Sequence, residues 1–380
     1  MTTPFVANFC SLNVRGINQT RKRRQLFRWL HNNKFDIIFL QETYSTKSVE
    51  TVWKSEWGGD VYYSHGTNHS RGTMILFNPK LPIHVDDIIA DKNGRFLLLK
   101  ATVHDTEFQL CNIYSPNNST DQKDFYSNLL NILKHRSDHK MIVGGDFNCA
   151  LTPCDKIGGS DVNKKNNVIS EIRNLCSSLK LLDVWRCQHP NQQQFTWRDK
   201  AFKVQCRLDY WMVSEDLKPL ALDTNIKNST LTDHSAITLT IQSQDYVRRG
   251  PGFWKINNSL LKDNNFIDQL SEKIPQFKDK YSYLSDKGLA WDMIKMEIRG
   301  FCVQYSKRKN RERRNIEKEL SGRMERLMKI LETNRSKENI IELYRLRSEL
   351  NKIAEYRTNG AIIRSRTRWH EHGEKIRNIS

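Results

Sequence analysis

The chain has 380 residues, long enough for one large core plus a second unit, and its 38% hydrophobic and 27% charged content suits a protein with a high polar load. No apolar run approaches the roughly 20 residues that span a bilayer, and the start, MTTPFVANFC, lacks the layout of a secretory leader, so no membrane partner and an intracellular location are expected, with KRKNRERR (307–314) pointing to the nucleus. The formal charge is +18, with +6 on residues 1–244 (30 basic, 24 acidic) and +12 on residues 245–380 (31 basic, 19 acidic), which favours nucleic acid as a partner over an anionic surface.

In chain order, short runs rich in β-branched and aromatic residues predict strands at Phe9–Val14, Ile37–Gln41, Thr73–Phe77, Phe96–Val103, Phe108–Tyr114, Met141–Val143, Phe195–Trp197, Arg207–Val213 and Ala236–Ile241. Amphipathic segments predict helices at 21–33, 121–137, 164–180 and 214–220. This is an α/β pattern without strict alternation, so a pair of sheets flanked by helices is expected over residues 1–243. The Gly-Pro-Gly of RRGPGFWK breaks the pattern, and residues 244–380 read as a basic, all-helical extension. Apolar residues from Ile316 to Leu331 and from Ile340 to Ile353 recur at spacings of three and four, which predicts two long helices turning near Thr333–Ser336. Eight cysteines without CxxC or regular spacing indicate neither a zinc site nor a disulfide framework. His135 and His139, four apart, have no third ligand nearby in sequence and read as surface residues.

Several of these strands stop on polar groups, which are costly at the end of a core strand unless something uses them. Asn13, Glu42, Tyr114, Asn117, Asp146, Asn148, Asp209, Asp233 and His234 all stand in or just after such runs. Taken singly, each reads as a cap or a loop residue. Together they make a kit for cutting a phosphodiester: a hard carboxylate for Mg²⁺ (Glu42), an acid to orient or deprotonate water (Asp146), and hydrogen-bond partners for phosphate oxygens (Asn13, Tyr114, Asn148, His234). Asp209 is the candidate for orienting the His234 imidazole.

The ordered set LNVRGI, LQET, NIYSPN, GGDFN, RLDY and DHSAI over residues 9–241 resembles the endonuclease/exonuclease/phosphatase superfamily. The resemblance implies a four-layered α/β sandwich of the exonuclease III-like, DNase I-like kind and a Mg²⁺-dependent phosphodiester hydrolase, with Mn²⁺ as a substitute. It puts the metal at Glu42 with Asn13 and Asp233 beside it, gives water and phosphate to Asp146 and Asn148, makes Asp209 and His234 an orienting pair, and brings Tyr114 to the phosphate. It leaves open whether Asp146 or His234 is the base.

DHSAI, GPGFWKINNSLL and TRWHEHGEK are similar to the endonuclease domain of non-LTR (long interspersed element) retrotransposons and its link to the reverse transcriptase. No pair of adjacent aspartates in an aromatic strand context occurs, so polymerase activity is not expected. Abasic-site repair members of the superfamily line a pocket with aromatic residues where Thr196 and Cys206 stand here. Between these lies a basic loop with Arg198, Lys200 and Lys203, and in the retrotransposon enzymes a loop here probes the minor groove. The expected substrate is intact duplex DNA, contacted by Asn117, Thr196, Arg198, Lys200 and Lys203, with RNA or DNA on the basic tail. An abasic-site repair enzyme, a phosphatase or phospholipase, and a catalytically inactive nucleic-acid-binding remnant are the alternatives.

Overall fold

The computed structural model describes residues 5–103, 106–136, 140–159, 165–229, 231–242, 258–333 and 336–372, with the backbone alone described at 258–259, 332–333 and 356–372. The Gly-Pro-Gly break, Trp254, His139 and the end of TRWHEHGEK lie outside these residues. In chain order the strands are Val6–Asn13 (β1), Ile37–Gln41 (β2), Val61–Ser64 (β3), Thr73–Phe77 (β4), Ile83–Ala90 (β5), Phe96–Val103 (β6), Thr106–Tyr114 (β7), Lys140–Asp146 (β8), Lys156–Ile157 (β9), Leu181–Asp183 (β10), Trp197–Arg198 (β11), Gln205–Cys206 (β12), Asp209–Ser214 (β13), Ala221–Lys227 (β14) and Ala236–Gln242 (β15). The α-helices are Thr20–Asn32 (α1), Glu50–Trp57 (α2), Ser119–Lys134 (α3), Asn166–Ser178 (α4), Val184–Gln188 (α5), Asn264–Lys280 (α6), Lys287–Thr333 (α7) and Lys337–His372 (α8).

The strands form two six-stranded sheets, ordered β14-β15-β1-β2-β4-β3 and β10-β13-β8-β7-β6-β5, and a small sheet β11-β12-β9. The runs IIFLQ of β2 and TMILF of β4 are buried at every position, because both faces of the sheet are covered. Phe9, Phe39, Phe77, Leu97, Leu99, Leu110 and Trp211 fill the space between the sheets. Leu26, Phe27, Leu30, Trp53 and Trp57 bring α1 and α2 onto the outside of the first sheet. Tyr126, Leu129, Ile169 and Ile172 bring α3 and α4 onto the second. The result is the four-layered α/β sandwich expected from the sequence.

Register decides where the functional groups go. On β8, Asp146 stands opposite Asp209 of antiparallel β13 and level with Tyr114 of parallel β7. Asn13 ends β1 level with Gln41, the residue before Glu42, and β15 starts at the same end of the sheet because it runs antiparallel to β1. All the polar strand ends therefore meet at one rim. The glycine pair of MIVGGDFN serves this arrangement. A Cβ on Gly144 would overlap the Trp211 ring, which packs against Phe9 and Phe39 between the sheets, and one on Gly145 (φ +133) would strike the Ile113 carbonyl.

The chain divides into two compact units, Met1–Val247 with Leu327–Thr358, and Arg248–Arg326 with Asn359–Ser380. In the second, Phe266, Cys302 and Tyr305 form the center of a small helical core, and the Tyr305 hydroxyl donates to Asp263 at 3.0 Å. The two long helices predicted from the apolar spacing are present. Leu327, Met328 and Leu331 of α7 and Leu343 and Leu346 of α8 are buried, whereas Ile316 at the start of the stripe is exposed.

Candidate active site

Six of the sequence-predicted side chains converge. Asn13 Nδ2 donates to Glu42 Oε1 at 2.8 Å and to Asp146 Oδ2 at 2.9 Å, tying the ends of the two sheets together. Asp209 Oδ2 and His234 Nδ1 lie 2.9 Å apart, and His234 Nε2 faces Asp146 Oδ2 at 3.9 Å. Asp146, Asp209 and His234 are all buried and offer ligand atoms within 4.8 Å of one another, a grouping that could hold a metal ion. Tyr114 on β7 stands near enough to Glu42 that burial, together with the carboxylate, pushes its hydroxyl's pKa well up.

Asn148 reaches the site differently from what its spacing suggests. Two residues apart in an extended strand, Asp146 and Asn148 would point the same way. Instead β8 ends at Asp146, and Asn148 takes φ +49, so the chain turns back. Its backbone N–H donates to Asp146 Oδ1 at 2.9 Å and its side-chain amide donates to the Ser115 carbonyl at 2.7 Å. Gln122, fully buried, donates to the Phe147 and Asn148 carbonyls, and Lys165 Nζ donates to Asn148 O at 2.9 Å. Glu42 (φ +51) and Tyr44 (φ +57) are also left-handed, conformations that cost non-glycine residues about 1–3 kcal/mol each and cluster where function demands them.

The site carries more negative charge than its neighbours offset. Burial and the Asp209 charge raise the Asp146 carboxyl to about 7, against the lowering effect of His234 and Asn13. Burial disfavours protonation of His234, but the Asp209 charge and hydrogen bond outweigh it and hold the imidazole's pKa well above its usual value. Asp209 Oδ1 is buried without a hydrogen-bond partner. Burial and Glu42 together push the Tyr44 hydroxyl, which donates to Glu42 Oε2 at 3.0 Å, up to about 12.

Asp233 stands at the edge of this group. It accepts from Arg15 Nη1 at 2.6 Å and from the Trp197 indole at 3.3 Å, while Trp197 also makes an isolated bridge to His234. Of the residues expected at DNA, Thr196 is fully buried and its hydroxyl holds the Leu208 and Asp209 amides. Arg198 is buried, with Nε on Gln205 at 2.7 Å. Lys200 and Lys203 on the hairpin, and Asn117 after β7, are exposed. The basic run at the start of α1 is used internally: Arg23 and Arg24 both pair with Glu56, and Arg23 lies over Trp53.

Sequence reasoning missed Tyr44, Arg15, Trp197, Gln122 and Lys165. LQETY and LNVRG did contain two of them, yet nothing in the spacing marks Tyr44 as a hydroxyl turned back onto Glu42 or Arg15 as the partner of a residue more than two hundred positions away.

Comparison with known proteins agrees with this geometry. The chain is 27% identical over 363 residues to a transposon TX1 uncharacterized 149 kDa protein of Xenopus laevis, covering 94% of this chain and 27% of that relative, so it spans about a quarter of the relative's length. Among solved structures, AP endonuclease LMAP from Leishmania major superposes with a TM-score of 0.56 at 17% identity, over 64% of this chain and 93% of that one. A 3′ phosphatase from Neisseria bound to product DNA hairpin gives 0.51 at 20% identity, over 61% and 98%. Both share the fold. Among the described residues no helix is long and apolar enough to cross a membrane. A family profile matches residues 10–234, a span that holds every side chain of the site, and the chain belongs to the endonuclease/exonuclease/phosphatase family.

Proposed function

We propose that the chain is a Mg²⁺-dependent endonuclease that nicks intact duplex DNA, in the manner of retrotransposon endonucleases. The observation that carries this reading is the buried Asp146–Asp209–His234 group beside Asn13 and Glu42, in which the imidazole offsets the carboxylates only in part. Hard oxygen donors on Glu42 and Asp146, and the unpartnered Asp209 Oδ1, fit a divalent cation, and Mn²⁺ also tolerates the imidazole. Glu42, Asn13 and Asp233 are the residues we assign to Mg²⁺, which supplies offset for charge developing on phosphate oxygens.

The remaining steps belong to side chains. Asp146, with a carboxyl raised to about 7, takes the proton of the attacking water as its basicity approaches the working pH. His234, held through Nδ1 by Asp209, presents Nε2–H to a phosphate oxygen. Tyr114 and Asn148 donate to the same phosphate and fix it in line with the water. Asp209 acts through His234 by orienting the ring.

Thr196 and Cys206 are both buried, and the Thr196 hydroxyl is engaged by backbone, which supports intact DNA over a baseless sugar as substrate. Lys200, Lys203 and Asn117 are the exposed groups we assign to the duplex. The basic run KRKNRERR is consistent with a nuclear location and with nucleic acid on the tail. Cleavage of matched intact and abasic duplexes in Mg²⁺ tests the reading: comparable or better nicking of the intact duplex supports it, and strong preference for the abasic duplex assigns the chain to repair instead.

A further inference from the structure

The turn that carries Asn148 is gripped by side chains from α3 and the start of α4 that have no part in the steps above. The Phe147 carbonyl accepts from the Tyr126 hydroxyl at 2.9 Å and from Gln122 Nε2 at 3.3 Å. The Asn148 carbonyl accepts from Gln122 Nε2 at 3.1 Å and from Lys165 Nζ at 2.9 Å. Gln122 and Tyr126 are one turn apart on α3 and fully buried, and Lys165, half-buried, stands just before α4. Lys165 Nζ also donates to Gln122 Oε1 at 3.1 Å, which fixes the way round the Gln122 amide sits.

Gln122 ties this turn to a second segment of the site. Its Nε2 reaches Ser115 Oγ at 3.4 Å, on the residue after Tyr114, and the Ser115 carbonyl accepts from Asn148 Nδ2 at 2.7 Å. The segments that carry Tyr114 and Asn148 therefore share one buried amide. Satisfying the two carbonyls needs no more than neutral donors, and Gln122 with Tyr126 supplies them. Lys165 adds a charge-assisted bond to the carbonyl of Asn148 itself, the residue held at φ +49, and a lysine gives up rotamer freedom to make it. A left-handed residue other than glycine persists where its surroundings over-determine it, and here the extra restraint falls on a residue of the site.

We infer that Gln122 and Lys165 are positioning residues for phosphodiester cleavage: they lock the left-handed turn and so aim at the phosphate the Asn148 Nδ2 hydrogen that is not given to Ser115. This rests on the nuclease reading above. Both residues act through Asn148, and what they supply is alignment, which costs rate steeply when it is lost.

The test is steady-state nicking of supercoiled plasmid in Mg²⁺ by the full chain, with folding of each variant checked by circular dichroism. Lys165→Met is the informative variant, since truncating the fully buried Gln122 also opens a cavity. It should lower kcat about ten-fold or more with KM within about two-fold of the parent, and Lys165→Arg should bring kcat back to within about three-fold. Asn148→Gly deletes the aimed amide, while glycine keeps the left-handed turn without strain. In that background Lys165→Met should cost less than about two-fold. Unchanged kcat in Lys165→Met overturns the role, as does an equal loss in the two backgrounds. A Lys165→Met chain that no longer folds also overturns it, because the contact then belongs to the fold alone. Absence of nicking by the parent overturns the nuclease reading and this role with it, whereas the other failures leave that reading standing.

Discussion

Asp155 and Asp146 are both buried carboxylates of the α/β unit, and they are surrounded in opposite ways. Asp155 accepts from Arg207 Nε at 2.7 Å, Arg186 Nη2 at 2.6 Å and Thr152 Oγ1 at 2.8 Å. Although burial opposes it, this set holds the Asp155 carboxyl below the usual carboxylate range. Arg207 is satisfied in turn by Asp183 at 2.6 Å and rests between the faces of Trp185 and Tyr210. Asp146 has an amide, a backbone N–H and a shared imidazole in place of two guanidiniums, and its carboxyl is raised. One cluster has spent its charge on the fold, and the other holds charge in reserve for something that is not protein. RLDY contributes to both: Arg207 to the first and Asp209, two residues on, to the second.

The comparison predicts that damage to the first cluster shows in stability and damage to the second in chemistry. Asp155→Asn leaves two buried guanidiniums short of a partner and should cost about 3–5 kcal/mol at pH 7 by urea unfolding. Since the Asp155 pKa is depressed on folding, its contribution is present above the unfolded value of about 3.9 and is lost as pH falls through the folded one. The gap between variant and parent should therefore close below about pH 4. A gap that persists undiminished in acid breaks the comparison.

His234→Ala should lower kcat for nicking about 10²–10³-fold in a chain that still folds. If instead it unfolds the chain, the second cluster is structural as well. Asp146→Asn sharpens the point through pH. A carboxyl raised on folding contributes stability that is full below about pH 3.9 and lost as pH rises through about 7. In EDTA the Asn variant should gain on the parent across that window by roughly 1 kcal/mol or more, and Mg²⁺ should raise the melting temperature of the parent more than that of the variant. Parallel pH profiles in EDTA would contradict a site with charge in reserve. The smallest effect is expected on the hairpin, where Lys200→Gln and Lys203→Gln should each raise KM a few-fold, more at low salt, with kcat unchanged.

Much of this was legible in the sequence, for identifiable reasons. β2, β4 and β6 were read with the bounds they have, because strands covered on both faces appear as continuous apolar runs. β5 and β14 were missed. Each lies at a sheet edge and exposes alternate residues, such as His84, Asp86 and Asp223, so charge interrupts the apolar signal. The residues that converge at the rim could be picked out because they interrupt such runs with polar groups. What spacing did not carry was orientation. Thr196 and Arg198 looked available for DNA, but their partners, the 208–209 amides and Gln205, are fixed by a hairpin packing that only the fold defines. Left-handed turns at Glu42, Tyr44 and Asn148 were equally hidden, since none is a glycine.

As proposed, the under-compensated cluster at the rim cuts phosphodiesters with a divalent cation. The most direct test is conversion of supercoiled plasmid to the nicked circle by the parent chain and by Asp146→Ala, each in Mg²⁺ and in EDTA. Nicking by the parent is expected in Mg²⁺ alone, with a loss of about 10³-fold or more in Asp146→Ala and duplex binding largely retained. Equal nicking by the two proteins, or nicking by the parent that survives EDTA, would contradict it.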